Sequence, residues 1–382
     1  MFTILKNTKL YSPKFLGTKD ILIVGEKIIA IEDNLDAYIN DKTNVWDAEG
    51  KIVTPGLIDQ HIHVIGAGGK KSFSSMTPEV QLSELIACGS TTINSLLGTD
   101  GTVRDIRTLY GKVKALEQEG ISTSMFCGYY GVDTPTITDS IQADMIFIDK
   151  VVGCKIAISD IRSSYPTAIE LLRKLNQIRN GGFIGGKKGI LHVHLGDLDT
   201  KMDLLFELVQ KYQFPIEHIS PTHVARTKPL FDQAIEFAKL GGMIDITTAA
   251  SQYIAPYKSV LYALEQGVSI DNLTFSTDGH AGLTKFDADG KDVGTKSAMI
   301  HKNLQETILL VKEGNVSIEE AFKLVTTNPA KNLGLKHKGT IKVNNDADFC
   351  CFDKDLNLVD VFAKGKQMMK DGKVIVKGNF ES

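Results

Sequence analysis

The chain has 382 residues, 42% hydrophobic and 23% charged, with a formal net charge of -3. That balance suits a soluble globular protein and leaves no broad basic face for nucleic acid. Its five cysteines are an odd number with no CxxC pair, and free thiols in a reducing compartment are the simplest reading.

The first seven residues lack a basic segment leading into a sustained apolar run, so no signal peptide is expected. No window reaches ~18 uninterrupted apolar residues, so no membrane span is expected either. A cytoplasmic enzyme fits both readings. Residues 1–54 read as short β segments, with a hairpin signal at Gly25-Glu26 between two apolar runs. From 55 to 338, strand and helix patterns alternate. The strands are the run ending at His61 and residues 91–97, 122–128, 151–157, 190–195, 219–223, 243–247 and 273–276. Helical patterns include 78–88 stopped by Gly89, 104–119 stopped by Gly120, and 229–240 stopped by Gly241-Gly242. Eight such units in about 275 residues predict an α/β fold, a (β/α)8 TIM-like barrel. A doubly wound sheet is the runner-up, but no GxGxxG turn follows the first strand. The Gly66-Ala67-Gly68-Gly69 stretch reads as a loop at the site. From Gly339 onwards short strands return, ending in an Asp371-Gly372 hairpin. Residues 1–54 and 339–382 are therefore expected to form one small β-domain, with 55–338 as the barrel. Adjacent Cys350 and Cys351 should point to opposite faces of a strand.

Lone polar residues close several of the apolar strands. His61 and His63 are two apart and share a face, so they can hold one cation together. Lys155 sits in Val151-Val152-Gly153-Cys154-Lys155-Ile156-Ala157, an expensive place for an unpaired ammonium. A snorkelling lysine is the bland alternative. Burial beside cations favours the neutral amine, which can capture carbon dioxide as a carbamate and bridge two metals ~3.5–4 Å apart. His194 and His223 complete the second metal's ligands, while the deeper His192 reads as a hydrogen-bonded core residue. Asp278 could be an N-cap, but it can also ligate metal and move a proton between water and a leaving amine. Zinc lowers the pKa of bound water to ~7, so the set predicts a hydrolase.

These residues, with Pro55-Gly56-Leu57-Ile58-Asp59-Gln60-His61-Ile62-His63, Asn328-Pro329-Ala330, Gly339-Thr340-Ile341 and Asp346-Ala347-Asp348, resemble the amidohydrolase superfamily. The resemblance runs along nearly the whole chain. Leu96-Leu97-Gly98-Thr99-Asp100, Ala157-Ile158-Ser159-Asp160, His194-Leu195-Gly196-Asp197 and Pro221-Thr222-His223-Val224-Ala225-Arg226 are similar to the bacterial isoaspartyl dipeptidase branch. The resemblance implies a barrel with a small β-sandwich, assembled as a homo-oligomer, an octamer. It implies two zinc ions per subunit on His61, His63, carbamylated Lys155, His194, His223 and Asp278. Asp278 would be general acid/base and Tyr130 would polarise the scissile carbonyl. Arg162 and Arg226 would hold the substrate's C-terminal carboxylate; each alone would read as a surface salt bridge. Gly68 and Thr99 would touch the aspartyl half. The implied reaction is hydrolysis of β-aspartyl dipeptides by a metal-bridging hydroxide.

Two positions depart from that pattern. Lys70 stands where the family has a glutamate for the substrate's α-ammonium. Gly282 stands where it has a serine, with His280 as the nearby substitute. A different small acidic substrate, an N-acylated β-aspartyl or amino-acid amide or a cyclic amide, is the alternative.

Overall fold

The computed structural model describes residues 2–250 and 253–381. Eight parallel strands pair in chain order: Leu57–Ile62, Ser90–Ser95, Ser122–Gly128, Val151–Ile158, Ile190–Leu195, Ile219–Thr222, Ile244–Thr247 and Leu273–Ser276. All are almost wholly buried, as strands covered by helices must be. The seam between the last strand and the first is joined just beyond the last strand's end. Asp278 N–H donates to the His61 carbonyl (3.1 Å) and His63 N–H to the Gly279 carbonyl (2.9 Å).

The helices follow their punctuation, with shifted starts. The first barrel helix spans only Leu82–Ala87, because a Gln81/Glu84 capping box sets its beginning after Pro78. The next is Ile106–Glu119, where the Asp105 side chain accepts from two orphan amides. Lys228–Lys239 carries Pro229 in its first turn behind the Thr227 cap.

Strands from both ends make a second, nine-stranded sheet. Phe2–Tyr11 lies at its centre, beside Phe15–Val24 and Ile52–Pro55, and Phe349–Phe352 joins the two termini. Leu5, Leu10, Ile21, Phe349 and Phe362 form its separate core. Cys351 belongs to that core and Cys350 to the barrel's, so the two thiols do face opposite ways. All five cysteines are buried and free. A hairpin absent from the sequence reading, Gly282–Phe286 with Asp292–Ser297, stands beside the carboxyl end of the barrel. Among the described residues, no helix is long and apolar enough to cross a membrane.

Candidate active site

Barrel strands place their carboxyl ends around one mouth, and the polar strand-closing residues meet there. His61 ends the first strand with His63 just beyond it; Lys155 and His194 lie in the fourth and fifth strands. His223 follows the sixth strand and Asp278 follows the eighth, both in left-handed backbone (φ 63° and 54°). Such conformations cost of order 1–3 kcal/mol in a non-glycine residue, and cluster where a side chain must be aimed. Ring centroids are 5.4 Å apart for His61 and His63, 4.9 Å for His61 and His223, and 4.6 Å for His194 and His223. Ligand atoms of His61, His223 and Asp278 lie within 4.8 Å of one another.

Hydrogen bonds fix the imidazole roles. His63 Nδ1 is 3.0 Å from the Leu96 carbonyl, which only accepts, so the ring's proton is on Nδ1. His63 Nε2 then offers a lone pair, yet it faces Asp278 Oδ1 at 3.0 Å. His61 Nε2 lies 3.2 Å from the same oxygen. Burial, then the Lys155 charge, pushes His61 down to about 3. Burial opposes ionisation of Asp278, but His223, His61 and His63 outweigh it and hold its carboxyl well below the usual range. His61 Nε2, His63 Nε2 and Asp278 Oδ1 thus crowd around one point, an arrangement of donor atoms that a cation would fit. His61 Nδ1 lies 2.9 Å from His192 Nε2, whose Nδ1 meets Ser220 Oγ at 3.1 Å. His192 is thus an orienting core residue. His223 Nδ1 bonds Thr247 Oγ1 at 2.6 Å, leaving Nε2 for the site.

Lys155 is fully buried, and its Nζ has no hydrogen-bond partner. Burial pushes its ammonium down to about 7, so a neutral amine is accessible at ordinary pH. An orphaned amine, four imidazoles and an ionised carboxylate form a donor set that suits a divalent metal.

A cavity of about 260 Å³ opens beside this cluster, and its lining includes His63, Tyr130, Arg162, Arg226 and Asp278. Gly68, Lys70, Thr99 and Gly282 also face it. Tyr130 Oη is 2.8 Å from His194 Nδ1, and burial raises its pKa. Arg162 grips Asp160 with two guanidinium nitrogens and stacks 5.3 Å above the Tyr130 ring. Arg226 is freer: Asp197 is 3.8 Å away and its buried Nε has no partner. Lys70 stands exposed at the rim; its pKa is lowered by partial burial of the ammonium, then by repulsion from Arg162 and Arg226. Lys71 pairs with Asp292 on the hairpin.

His280 is corrected. Its Nδ1 bonds the Pro78 carbonyl at 2.9 Å and its Nε2 faces Glu84 at 3.7 Å, so it does not line the cavity. Its backbone is left-handed (φ 60°). Gly282 also reads differently: a Cβ there would lie 2.7 Å from Gly68 Cα, so the glycine loop leaves no room for a serine.

Several residues were missed. Asp160 accepts from His194 Nε2 at 2.9 Å as well as from Arg162, and both hold its carboxyl far below the usual range against the opposing effect of burial. It therefore directs His194 Nδ1 toward Tyr130 and the site. Asp59, pushed up to about 7 by burial, ties the seam by bonding Thr277 and the His61 amide. Both lie inside segments that carry the family resemblance, which was the sequence signal available for them.

Residues 186–380 match the amidohydrolase family. The whole fold is similar to a crystal structure of β-aspartyl dipeptidase from Fervidobacterium islandicum AW-1 in complex with β-Asp-Leu dipeptide. That structure shares 40% identity over 100% of both chains, with a TM-score of 0.91. A dihydroorotase of Streptococcus thermophilus is 25% identical over 95% of this chain and 93% of its own length. An L-hydantoinase of Paenarthrobacter aurescens is 23% identical, over 93% and 86% respectively. The match of half the sequence, and the full-length likeness at 40% identity, make this chain a hydrolase of the amidohydrolase family.

Proposed function

We propose that the chain hydrolyses the amide bond of β-aspartyl (isoaspartyl) dipeptides. The observation that carries this reading is the clustering of His61, His63, His194, His223 and Asp278, with the buried Lys155 amine near His61, beside a cavity bearing two arginines. The dipeptide complex of the 40%-identical relative supports the choice of substrate. His61, His63, His194, His223, Asp278 and a carbamylated Lys155 would hold two zinc ions, which when bound supply an activated water and a polarised carbonyl.

Arg226, with its unpaired Nε, takes the substrate's terminal carboxylate, and Arg162 joins it from its Asp160 clamp. Gly68 and Thr99 border the aspartyl half. Tyr130, released from His194, donates its hydroxyl hydrogen to the scissile carbonyl oxygen. Asp278 accepts a proton as water adds to the carbonyl carbon. It returns that proton to the leaving nitrogen as the C–N bond breaks, giving aspartate and a free amino acid. The test is turnover of a β-aspartyl dipeptide panel by zinc-loaded protein. Release of aspartate is expected; no turnover of any member overturns the reading.

Lys70 favours a second reading on the same chemistry. A cation at the rim disfavours the free α-ammonium and suits a substrate whose amine is acylated or carboxylated, or a cyclic amide. The reading also includes an octameric, cytoplasmic protein, and a division into 1–54 with 339–382 and 55–338. Five free cysteines and the separate core of the terminal sheet support the last two points.

A further inference from the structure

A larger cavity, about 560 Å³, lies at the opposite face of the barrel. Lys187 and Lys188 precede the strand Ile190–Leu195, whose other end carries His194, about 20 Å away at ~3.3 Å per residue. Six lysines line it: Lys187, Lys188, Lys331, Lys336, Lys338 and Lys342, with no acidic residue among the lining. Phe183, Ala330 and Leu335 add apolar surface.

Among the described residues, only Lys338 of the six makes an ion pair, with Asp346 and Asp348. Lys187 donates to the carbonyls of Ile148 (2.6 Å) and Val151 (2.9 Å). Lys188 reaches the Lys331 carbonyl at 3.2 Å and Lys336 the Gly186 carbonyl at 3.4 Å. Ile148, Gly186 and Lys331 stand at helix C-termini and Val151 begins a barrel strand, which offers a purely structural account: lysines cap the ends of Ile141–Phe147, Ala168–Gly185 and Thr327–Leu333. Magnitude decides against it as the whole account. Three helix ends supply roughly half a negative charge each, about one and a half in all, against five ammoniums without a carboxylate partner. Glu217 attracts Lys188, and Asp144 and Asp149 attract Lys187, from beyond ion-pair distance. Burial pushes Lys188 down to about 8, and Lys331 adds a smaller repulsion.

We infer that this cavity binds a small polyanion carrying two or more linked phosphate groups. Lysine heads are mobile point charges that suit phosphate oxygens without demanding the planar match of arginine. The volume lies within the usual range for small-ligand sites. Inorganic polyphosphate and the phosphate arm of a nucleotide share this chemistry.

Calorimetric titration of the zinc-loaded full chain with tripolyphosphate, ATP and adenosine tests the inference. Saturable binding of tripolyphosphate and ATP, but not adenosine, is expected. Equal affinities assign the site to phosphate alone; tighter ATP adds a base on the apolar wall. The rim double variant Lys336→Glu/Lys342→Glu should weaken binding at least tenfold with unchanged hydrolysis. Lys188→Met should do the same from the floor, and serves if the rim variant fails to fold. Absence of saturable binding, or binding that survives both variants, overturns the inference. So does a loss seen only in Arg226→Met, which would place the anion in the catalytic cavity.

Discussion

Gly282→Ser installs the residue that the dipeptidase pattern has at this position, and should do harm. A Cβ there meets Gly68 Cα at 2.7 Å and Gly68 N at 3.5 Å. Carbon atoms pack comfortably at about 3.5–4.0 Å, so one backbone must retreat by roughly 1 Å. Forcing extra atoms into packed space costs about 1–3 kcal/mol. If the scaffold absorbs it, the melting temperature falls. If the glycine loop moves, Gly68 and Lys70 shift at the cavity, and a cost of that size lowers kcat/KM roughly 5- to 150-fold. Both quantities should be measured for Gly282→Ser and Gly282→Ala with β-Asp-Leu as substrate. The two variants should be damaged alike, because the Cβ and not the hydroxyl is at fault. A serine variant with parental melting and kcat/KM at or above the parent's would refute the steric argument.

Lys70→Glu should raise kcat/KM for a β-aspartyl dipeptide and lower it for the N-acylated analogue; unchanged kinetics for both would show that residue 70 does not reach the substrate. Lys155→Met should lower bound zinc, read by elemental analysis, and cut activity at least about 1,000-fold; retention of both would remove Lys155 from the centre. Metal-free protein should gain stability as pH rises from about 7 toward 10.5, because the unfolded chain keeps a Lys155 proton that the folded chain has shed. Urea melts at about pH 7 and 9 should differ by about 2 kcal/mol from this group, and Lys155→Met should abolish the difference; an identical slope in the variant would contradict the buried-amine account. His280→Ala should leave kcat/KM within about twofold while removing the Pro78 tie, at a cost of about 1 kcal/mol in a urea melt; a large kinetic loss would place the ring in the cavity after all.

The eight strands were legible because each is a short apolar run between glycine- and proline-marked helices. Lys155 and His194 stand out for the same reason: a polar side chain inside such a run has few structural excuses. What the sequence hid depends on neighbours distant in the chain. Asp160 orients His194 from the end of another strand, and the partner of His63 is a backbone carbonyl, which no side-chain pattern reveals. His280 lies close to Gly282 in sequence, but its ring is drawn away to the Pro78 carbonyl, a tertiary partner that proximity along the chain does not reveal. The role of Gly282 lies in its approach to Gly68, a tertiary contact with no local signature. The hairpin from Gly282 to Ser297 did carry a turn signal at Asp289-Gly290, passed over beside the stronger barrel rhythm.

The barrel closes where its first and last strands exchange hydrogen bonds, and His63 faces Asp278 there across 215 residues of chain. During synthesis the paired histidines therefore emerge from the ribosome long before the acid opposite them exists. No fragment ending short of Asp278 assembles both halves, so the two sides of the candidate ion site meet only after the eighth strand has been made.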